Sequence, residues 1–191
     1  MDFDLLNTLQ QSGALLEGHF QLTSGKHSGR YIEKFRLLEQ PRALDEVAQA
    51  MVNDPLVKDI DVVLGAAVGG ILLAGAVARI LNCHTMFTER VDGAMTLRRG
   101  FALQPGDRVL VVEDIVTTGG SVFELLDVVR DSGAILVAVK CLVDRNEPPG
   151  IDFGAPGKAL LNLPIPAWDP DECPLCEEGL PLIKPGRTGK K

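Results

Sequence analysis

The sequence predicts an α/β domain built on a mostly parallel sheet. Short, continuous apolar runs at Asp61-Val-Val-Leu-Gly65, Val109 to Val112 and Ala134 to Val143 suit strands covered on both faces. Longer segments with helical periodicity lie between them, so strands and helices alternate along the chain. Gly65, Glu89, Glu113 and Asp144 all fall just beyond strand ends, where the ligands of such sheets bind.

Taken in order, Asp4 to Gln11 reads as a short helix with Leu5, Leu6 and Leu9 on one stripe, ending near Gly13. Two extended pieces follow, His19 to Thr23 and Arg30 to Glu33, joined by Ser24-Gly-Lys-His-Ser-Gly29. Pro41 opens a helix through Ala43, Leu44, Val47, Ala48 and Met51, at a position where the missing N–H costs nothing. Asp61 to Gly65 is a strand and Gly70 to Leu81 a helix rich in Ala and Leu. A strand over Thr85 to Thr88 leads into a polar loop, residues 89–100, which holds Arg90, Arg98 and Arg99. Val109 to Val112 is the next strand, followed by a helix with Val122, Leu125, Leu126 and Val129 at i, i+3, i+4, i+7. After the strand at Ala134 to Val143, the remainder holds most of the prolines and is expected to be an irregular flap with a basic end. The expected division is thus a domain over 1–145 and a flap over 146–191.

At 191 residues and 46 % hydrophobic, the chain suits one domain with a sizeable core. No apolar run approaches the roughly 20 residues of a transmembrane helix, and Met-Asp-Phe-Asp lacks a basic leader. The cytosol and no membrane partner are therefore expected. A net charge of −7 argues against a broad nucleic-acid surface. Cys83 and Cys141 sit in apolar surroundings and are expected to pack as small hydrophobes. Cys173-Pro-Leu-Cys176 leaves three readings open: half of a zinc site completed by a partner or by His, a redox pair, or an incidental spacing.

The most informative stretch is Val109-Leu-Val-Val-Glu-Asp-Ile-Val-Thr-Thr-Gly-Gly-Ser121. A strand, a hydroxyl- and glycine-rich turn and a helix built this way leave free N–H groups at a positive helix terminus, which favours an anion. Glu113 and Asp114 beside it would repel a phosphate alone, and capping accounts for only one acid. A ligand carrying both phosphate and hydroxyls, a sugar phosphate, satisfies both demands. No Gly-x-x-x-x-Gly-Lys-[Ser/Thr] run is present, which excludes a P-loop enzyme. Gly65-Ala-Ala-Val-Gly-Gly70 also misses dinucleotide spacing. A phospho-receiver reading fails because too little globular sequence follows.

This element resembles the phosphoribosyl-pyrophosphate (PRPP) signature of type I phosphoribosyltransferases. With Leu22-Thr-Ser-Gly-Lys-His-Ser28 and Tyr31, Thr85-Met-Phe-Thr-Glu-Arg90, Met95 to Phe101 and Val143-Asp-Arg145, the resemblance narrows to the orotate phosphoribosyltransferases. It covers the chain from about Gly18 to the tail.

The resemblance implies the type I fold, with a mobile loop and a small N- and C-terminal hood or flap, the N-terminal part being residues 1–40. It implies that Glu113 and Asp114 contact ribose hydroxyls and that Ile115, Val116, Thr117, Thr118, Gly119, Gly120 and Ser121 complete the PRPP turn. Ala67, Val68, Gly69 and Gly70 would form the pyrophosphate loop, and Thr117 and Arg145 would bind orotate. Arg90, Arg98 and Arg99 would act as catalytic cations of the mobile loop, and Lys26 or His27 would touch a phosphate. It further implies Mg²⁺ carried mainly by PRPP, with no direct protein ligand, and a homodimer that shares the loop between subunits. Two departures stand out: better-known members have a lysine where this chain has Gly69, and a Lys-x-His-Gly run in the loop, which Met95 to Gly100 replaces. His19, His27 and His84 are the few candidates for a general base. The competing readings are a phosphoribosyltransferase for another base and a PRPP-sensing regulator without catalysis.

Overall fold

The structure, a computed structural model, describes residues 3–185. It opens with helix α1 (Leu5–Gln11), which the Asp4 side chain caps by accepting from Asn7 N–H. Strands β1 (Leu15–Gln21) and β2 (His27–Ile32) pair antiparallel, starting earlier than the sequence suggests at β1. Helices α2 (Phe35–Leu38) and α3 (Pro41–Val52) follow, then β3 (Val62–Ala66), α4 (Gly69–Leu81), β4 (His84–Val91), β5 (Ala94–Leu97), β6 (Arg108–Val116), α5 (Gly120–Asp131) and β7 (Ile135–Asp144). The tail contributes β8 (Gly157–Asn162), one turn of helix α6 (Pro174–Glu177) and β9 (Leu182–Ile183).

The central sheet has the order β5-β4-β3-β6-β7-β8, parallel throughout except for β5. Residues of α1 to α4 bury one face through Leu9, Leu37, Met51 and Leu73 against Leu110; α5 buries the other through Val122, Leu125 and Val129 against Val109 and Val111. This two-sided cover explains why β3 and β6 are almost wholly apolar until the acids at the end of β6. A second sheet, β2-β1-β9, stands apart from the first. No helix of the described residues is long and apolar enough to cross a membrane.

Two expectations need correction. Residues 89–100 are not an unpaired loop: Thr88 to Val91 pair with Ala94 to Leu97 across a two-residue Asp92-Gly93 turn. Both turn residues have positive φ, and Asp-Gly is a strong signal for that turn. Nor is the tail irregular throughout. Gly157–Asn162 docks beside β7 as an edge strand, which carries the sheet across the expected division at residue 146.

Candidate active site

The C-terminal ends of β3, β6 and β7 open on one edge of the sheet, and the β1–β2 hairpin covers it. At the end of β6, Glu113 and Asp114 are both buried. Asp114 N–H donates to Glu113 Oε1 (2.9 Å) and Ile115 N–H donates to Asp114 Oδ1 (2.6 Å). Lys34, between β2 and α2, reaches the remaining Asp114 oxygen, with Nζ 2.6 Å from Oδ2. Burial first, and the Asp114 charge second, push Glu113 up to about 7. Two adjacent acids in a closed space do not both ionise readily, and the shift falls on Glu113.

The turn after β6 brings Thr117, Thr118, Gly119, Gly120 and Ser121 around a cavity of about 60 Å³, to which Glu113, Ile115, Val116 and Val122 also contribute. Gly119 is the N-cap of α5 in the left-handed conformation (φ 76°), and no side chain caps the helix. The first N–H groups of α5 are therefore free to meet an anion. A Cβ on Gly119 would press on Ile151 and Phe153 at 3.0 Å, so glycine is required for space as well as for φ.

The turn after β3 repeats the arrangement. Gly69 and Gly70 begin α4, which also lacks a side-chain cap. A Cβ on Gly69 would overlap Asp114 Oδ2 outright, and one on Gly65 would overlap the Gly70 carbonyl. Val68 is prominently exposed beside them.

At the end of β7, Arg145 N–H donates to the Val116 carbonyl (3.0 Å), tying the two strand ends together. Asn146 Nδ2 donates to the Thr117 carbonyl and to Asp144 Oδ1, both at 2.7 Å. A cavity of about 470 Å³ is lined by Leu22, Thr23, Ser24 and Tyr31 from the hairpin and by Thr117, Thr118, Arg145 and Asn146 from the sheet edge. Tyr31 and Arg145 also line a neighbouring cavity of about 360 Å³ that runs to Lys34, Phe35 and Ile115. Arg145 Nε is buried with no hydrogen-bond partner among the described residues, and burial lowers the guanidinium's pKa. A buried, unsatisfied donor on a cavity wall is a position that calls for an acceptor.

The structure thus brings Glu113, Asp114, Thr117 to Ser121, Ala67 to Gly70 and Arg145 to one edge. The predicted loop arginines lie elsewhere on the β4–β5 hairpin: Arg90 is paired with Glu124 of α5 (2.8 Å) and Arg99 with Glu89 (2.9 Å), whereas Arg98 forms no ion pair among the described residues. Lys26 and His27, expected near a phosphate, are placed apart from these residues. Neither lines these cavities: Lys26 faces Asp169 at 3.1 Å, and His27 is buried against His19 and Cys176. Their neighbours in the chain, Leu22 to Ser24, face the cavity instead, because the hairpin turn points one side to the site and the other to the tail. Lys34 and Asn146 carry no motif in the sequence that marks them as site residues, and Tyr31 only the resemblance. A lysine just past a strand that ends at the site was the available signal for Lys34.

Residues 36–152 match the phosphoribosyl transferase domain family. Orotate phosphoribosyltransferase of Thermotoga maritima is 46 % identical over 183 residues, covering 96 % of this chain and 97 % of that protein. The Heliobacterium modesticaldum protein of the same name is 48 % identical over 185 residues, covering 95 % of this chain and 96 % of its own length. Among solved structures, orotate phosphoribosyltransferase from Aeropyrum pernix superposes with a TM-score of 0.70 at 27 % identity, covering 84 % of this chain and 94 % of that one.

Proposed function

The chain belongs to the orotate phosphoribosyltransferase family, and from that premise we propose how its residues divide the transfer of phosphoribose from PRPP to orotate in the synthesis of UMP. The observation that carries the base assignment is the buried, unpartnered Nε of Arg145 on the wall of the 470 Å³ cavity that Thr117 shares. A guanidinium meets a carboxylate through two parallel hydrogen bonds, and orotate bears a carboxylate where adenine, guanine and hypoxanthine bear none.

In this reading the 5′-phosphate occupies the 60 Å³ cradle of Thr117 to Ser121, held by free N–H groups of α5 and by hydroxyls. Glu113 and Asp114 then lie against the ribose hydroxyls, and negative charge on this acid pair favours the positive charge that grows on C1′ as its bond to pyrophosphate breaks. The pyrophosphate leaves with the electron pair of that bond, into the turn Ala67 to Gly70. N1 of orotate, oriented by Arg145 and Thr117, gives up its proton to water and forms the new bond to C1′ with the electron pair that proton leaves behind. No histidine lines the three cavities, and none is assigned a proton-transfer role.

The donor set fits Mg²⁺ delivered by PRPP: two carboxylates stand beside an anion cradle, and this ion is held by one or two carboxylates together with substrate phosphates. When bound, it would neutralise charge on the departing pyrophosphate. Arg90, Arg98 and Arg99 would add to that neutralisation if the β4–β5 hairpin moved, Arg98 being free of any ion pair among the described residues. A homodimer in which this hairpin serves the neighbouring subunit, in the cytosol, completes the proposal.

The test is incubation with PRPP, Mg²⁺ and each of orotate, uracil, adenine and hypoxanthine, following pyrophosphate release. Release with orotate alone, giving orotidine 5′-phosphate, is expected. Turnover of another base in place of orotate would overturn the acceptor. PRPP binding without turnover on any base would turn the reading to a sensor.

A further inference from the structure

On the side of the β1–β2 hairpin that faces away from the sheet edge, four side chains with metal-binding atoms converge. His19 and His27 come from β1 and β2, and Cys173 and Cys176 come from the N-terminus of α6, about 150 residues later. His19 Nε2 is 3.0 Å from His27 Nδ1, 3.5 Å from Cys173 Sγ and 3.7 Å from Cys176 Sγ. Cys176 Sγ is 3.3 Å from His27 Nδ1, and all four donor atoms lie within 4.8 Å of one another. We propose that these four residues hold one zinc ion, which fastens the C-terminal tail to the hairpin.

The distances suit a single centre. Zinc–nitrogen bonds of about 2.0–2.1 Å and zinc–sulfur bonds of about 2.3 Å in a tetrahedron put the donors roughly 3.3–3.8 Å apart. Two nitrogens and two sulfurs around one point select zinc among common divalent ions, and donors this close leave no room for a cluster of several irons. The orientation of His19 is also that of a ligand. Its Nδ1 lies 2.8 Å from the Leu180 carbonyl, so the proton sits there and the Nε2 lone pair points at the other three donors. His19, His27 and Cys173 are buried, at 2 %, 4 % and 1 % exposure, as the ligands of a closed structural site are.

The backbone around the four residues is arranged for such a fastening. His27 and Trp168 exchange N–H···O bonds of 2.8 and 2.9 Å, Ser28 Oγ donates to the Pro166 carbonyl (2.8 Å), and β9 lies parallel to β1 through His19 and Leu182. The tail thus crosses the hairpin twice with few apolar contacts of its own; Leu180, Leu182 and Ile183 are all exposed. The same hairpin carries Leu22 to Ser24 and Tyr31 into the large cavity at the sheet edge. Zinc would hold that wall in position without touching substrate.

The test begins with the full-length chain purified under reducing conditions without chelator. Elemental analysis should find one zinc per chain. Replacing it with Co²⁺ should give a thiolate-to-cobalt charge-transfer band and the intense d–d bands of a tetrahedral site. Cys173→Ser and Cys176→Ser should each lose the metal, His19→Gln should weaken it, and stripping zinc from the wild type should lower Tm by roughly 5 °C or more. A wild-type chain that neither carries zinc nor takes it up when zinc alone is titrated into the reduced protein would overturn the proposal. So would full zinc content in the Cys173→Ser/Cys176→Ser double variant, or a Co²⁺ spectrum of octahedral oxygen ligation. Should a cysteine variant fail to fold, the wild-type cobalt spectrum decides alone.

Discussion

Lys34 Nζ lies 2.6 Å from Asp114 Oδ2, so a lysine from the N-terminal segment neutralises one of the two acids that end β6. The pair is largely shielded, with the Asp114 side chain 5 % exposed and that of Lys34 30 %. Its partner acid, Glu113, forms no ion pair among the described residues. The lysine thus joins the N-terminal segment to the acid pair that ends β6.

Lys34→Met should leave Asp114 buried beside Glu113 without compensation. A charge-assisted hydrogen bond of this kind contributes about 1.5–3 kcal/mol, so kcat/KM for PRPP should fall roughly 10- to 100-fold. Steady-state kinetics at saturating orotate measure this. An unchanged kcat/KM would show that Lys34 is a bystander to the ribose site.

Gly69→Ala tests the close approach of the two strand-end turns. The added Cβ would overlap Asp114 Oδ2, so either the carboxylate or the turn must shift. Displacement of an orienting group by about 1 Å can cost up to ~100-fold, and PRPP affinity should fall on that scale in calorimetric titration. The crowding also bears on the missing family lysine: a long side chain at Gly69 has to displace the contact between Asp114 and Lys34, and Lys34 already supplies a cation to that corner. Wild-type affinity in Gly69→Ala would mean that Asp114 has room to retreat without loss.

Glu113 makes stability depend on pH in an unusual direction for a carboxylate. Its folded-state pKa of about 7 lies above the ordinary 4.5, so between these values the folded chain holds a proton that the unfolded chain has released. The stabilisation is fully present below pH 4.5 and is lost as pH rises through 7. The cost at pH 8 is roughly 1–3 kcal/mol for a buried acid coupled to its neighbour. Glu113→Gln keeps the shape and removes the titration. In urea unfolding it should be more stable than wild type at pH 8 and lose less stability between pH 5 and 8. Parallel pH profiles for the two proteins would rule out a raised Glu113.

Much of this site was legible because its parts are local. The strand, turn and helix from Val109 to Val129 declare themselves by periodicity and by the Gly119-Gly120 break, and the structure places β6 and α5 there. Asp92-Gly93 carried a hairpin signal that the abundance of charge in residues 89–100 obscured. What could not be read is non-local. Nothing near Lys34 in sequence shows that it meets Asp114, eighty residues on, and nothing near Cys173 shows that His19 and His27 face it. The tail's β8 was hidden by surrounding prolines: Lys158-Ala-Leu-Leu161 is too short and too weakly apolar to read as a strand until β7 offers it an edge.

Arg145→Ala should separate acceptor from donor. The side chain lines both large cavities, and its buried Nε has no partner among the described residues, so truncation costs the fold only the long Nη2 bond to the Ile165 carbonyl (3.5 Å). KM for orotate should rise about 10- to 100-fold, while the dissociation constant for PRPP, held by the turns after β3 and β6, should stay within about twofold. Arg145→Lys should not restore orotate affinity, because an ammonium cannot present two parallel donors to a carboxylate. Protein stability should change little or improve slightly, since a partly desolvated cation disappears. Equal losses for orotate and PRPP would remove Arg145 as the carboxylate clamp and assign it to holding the ends of β6 and β7 together.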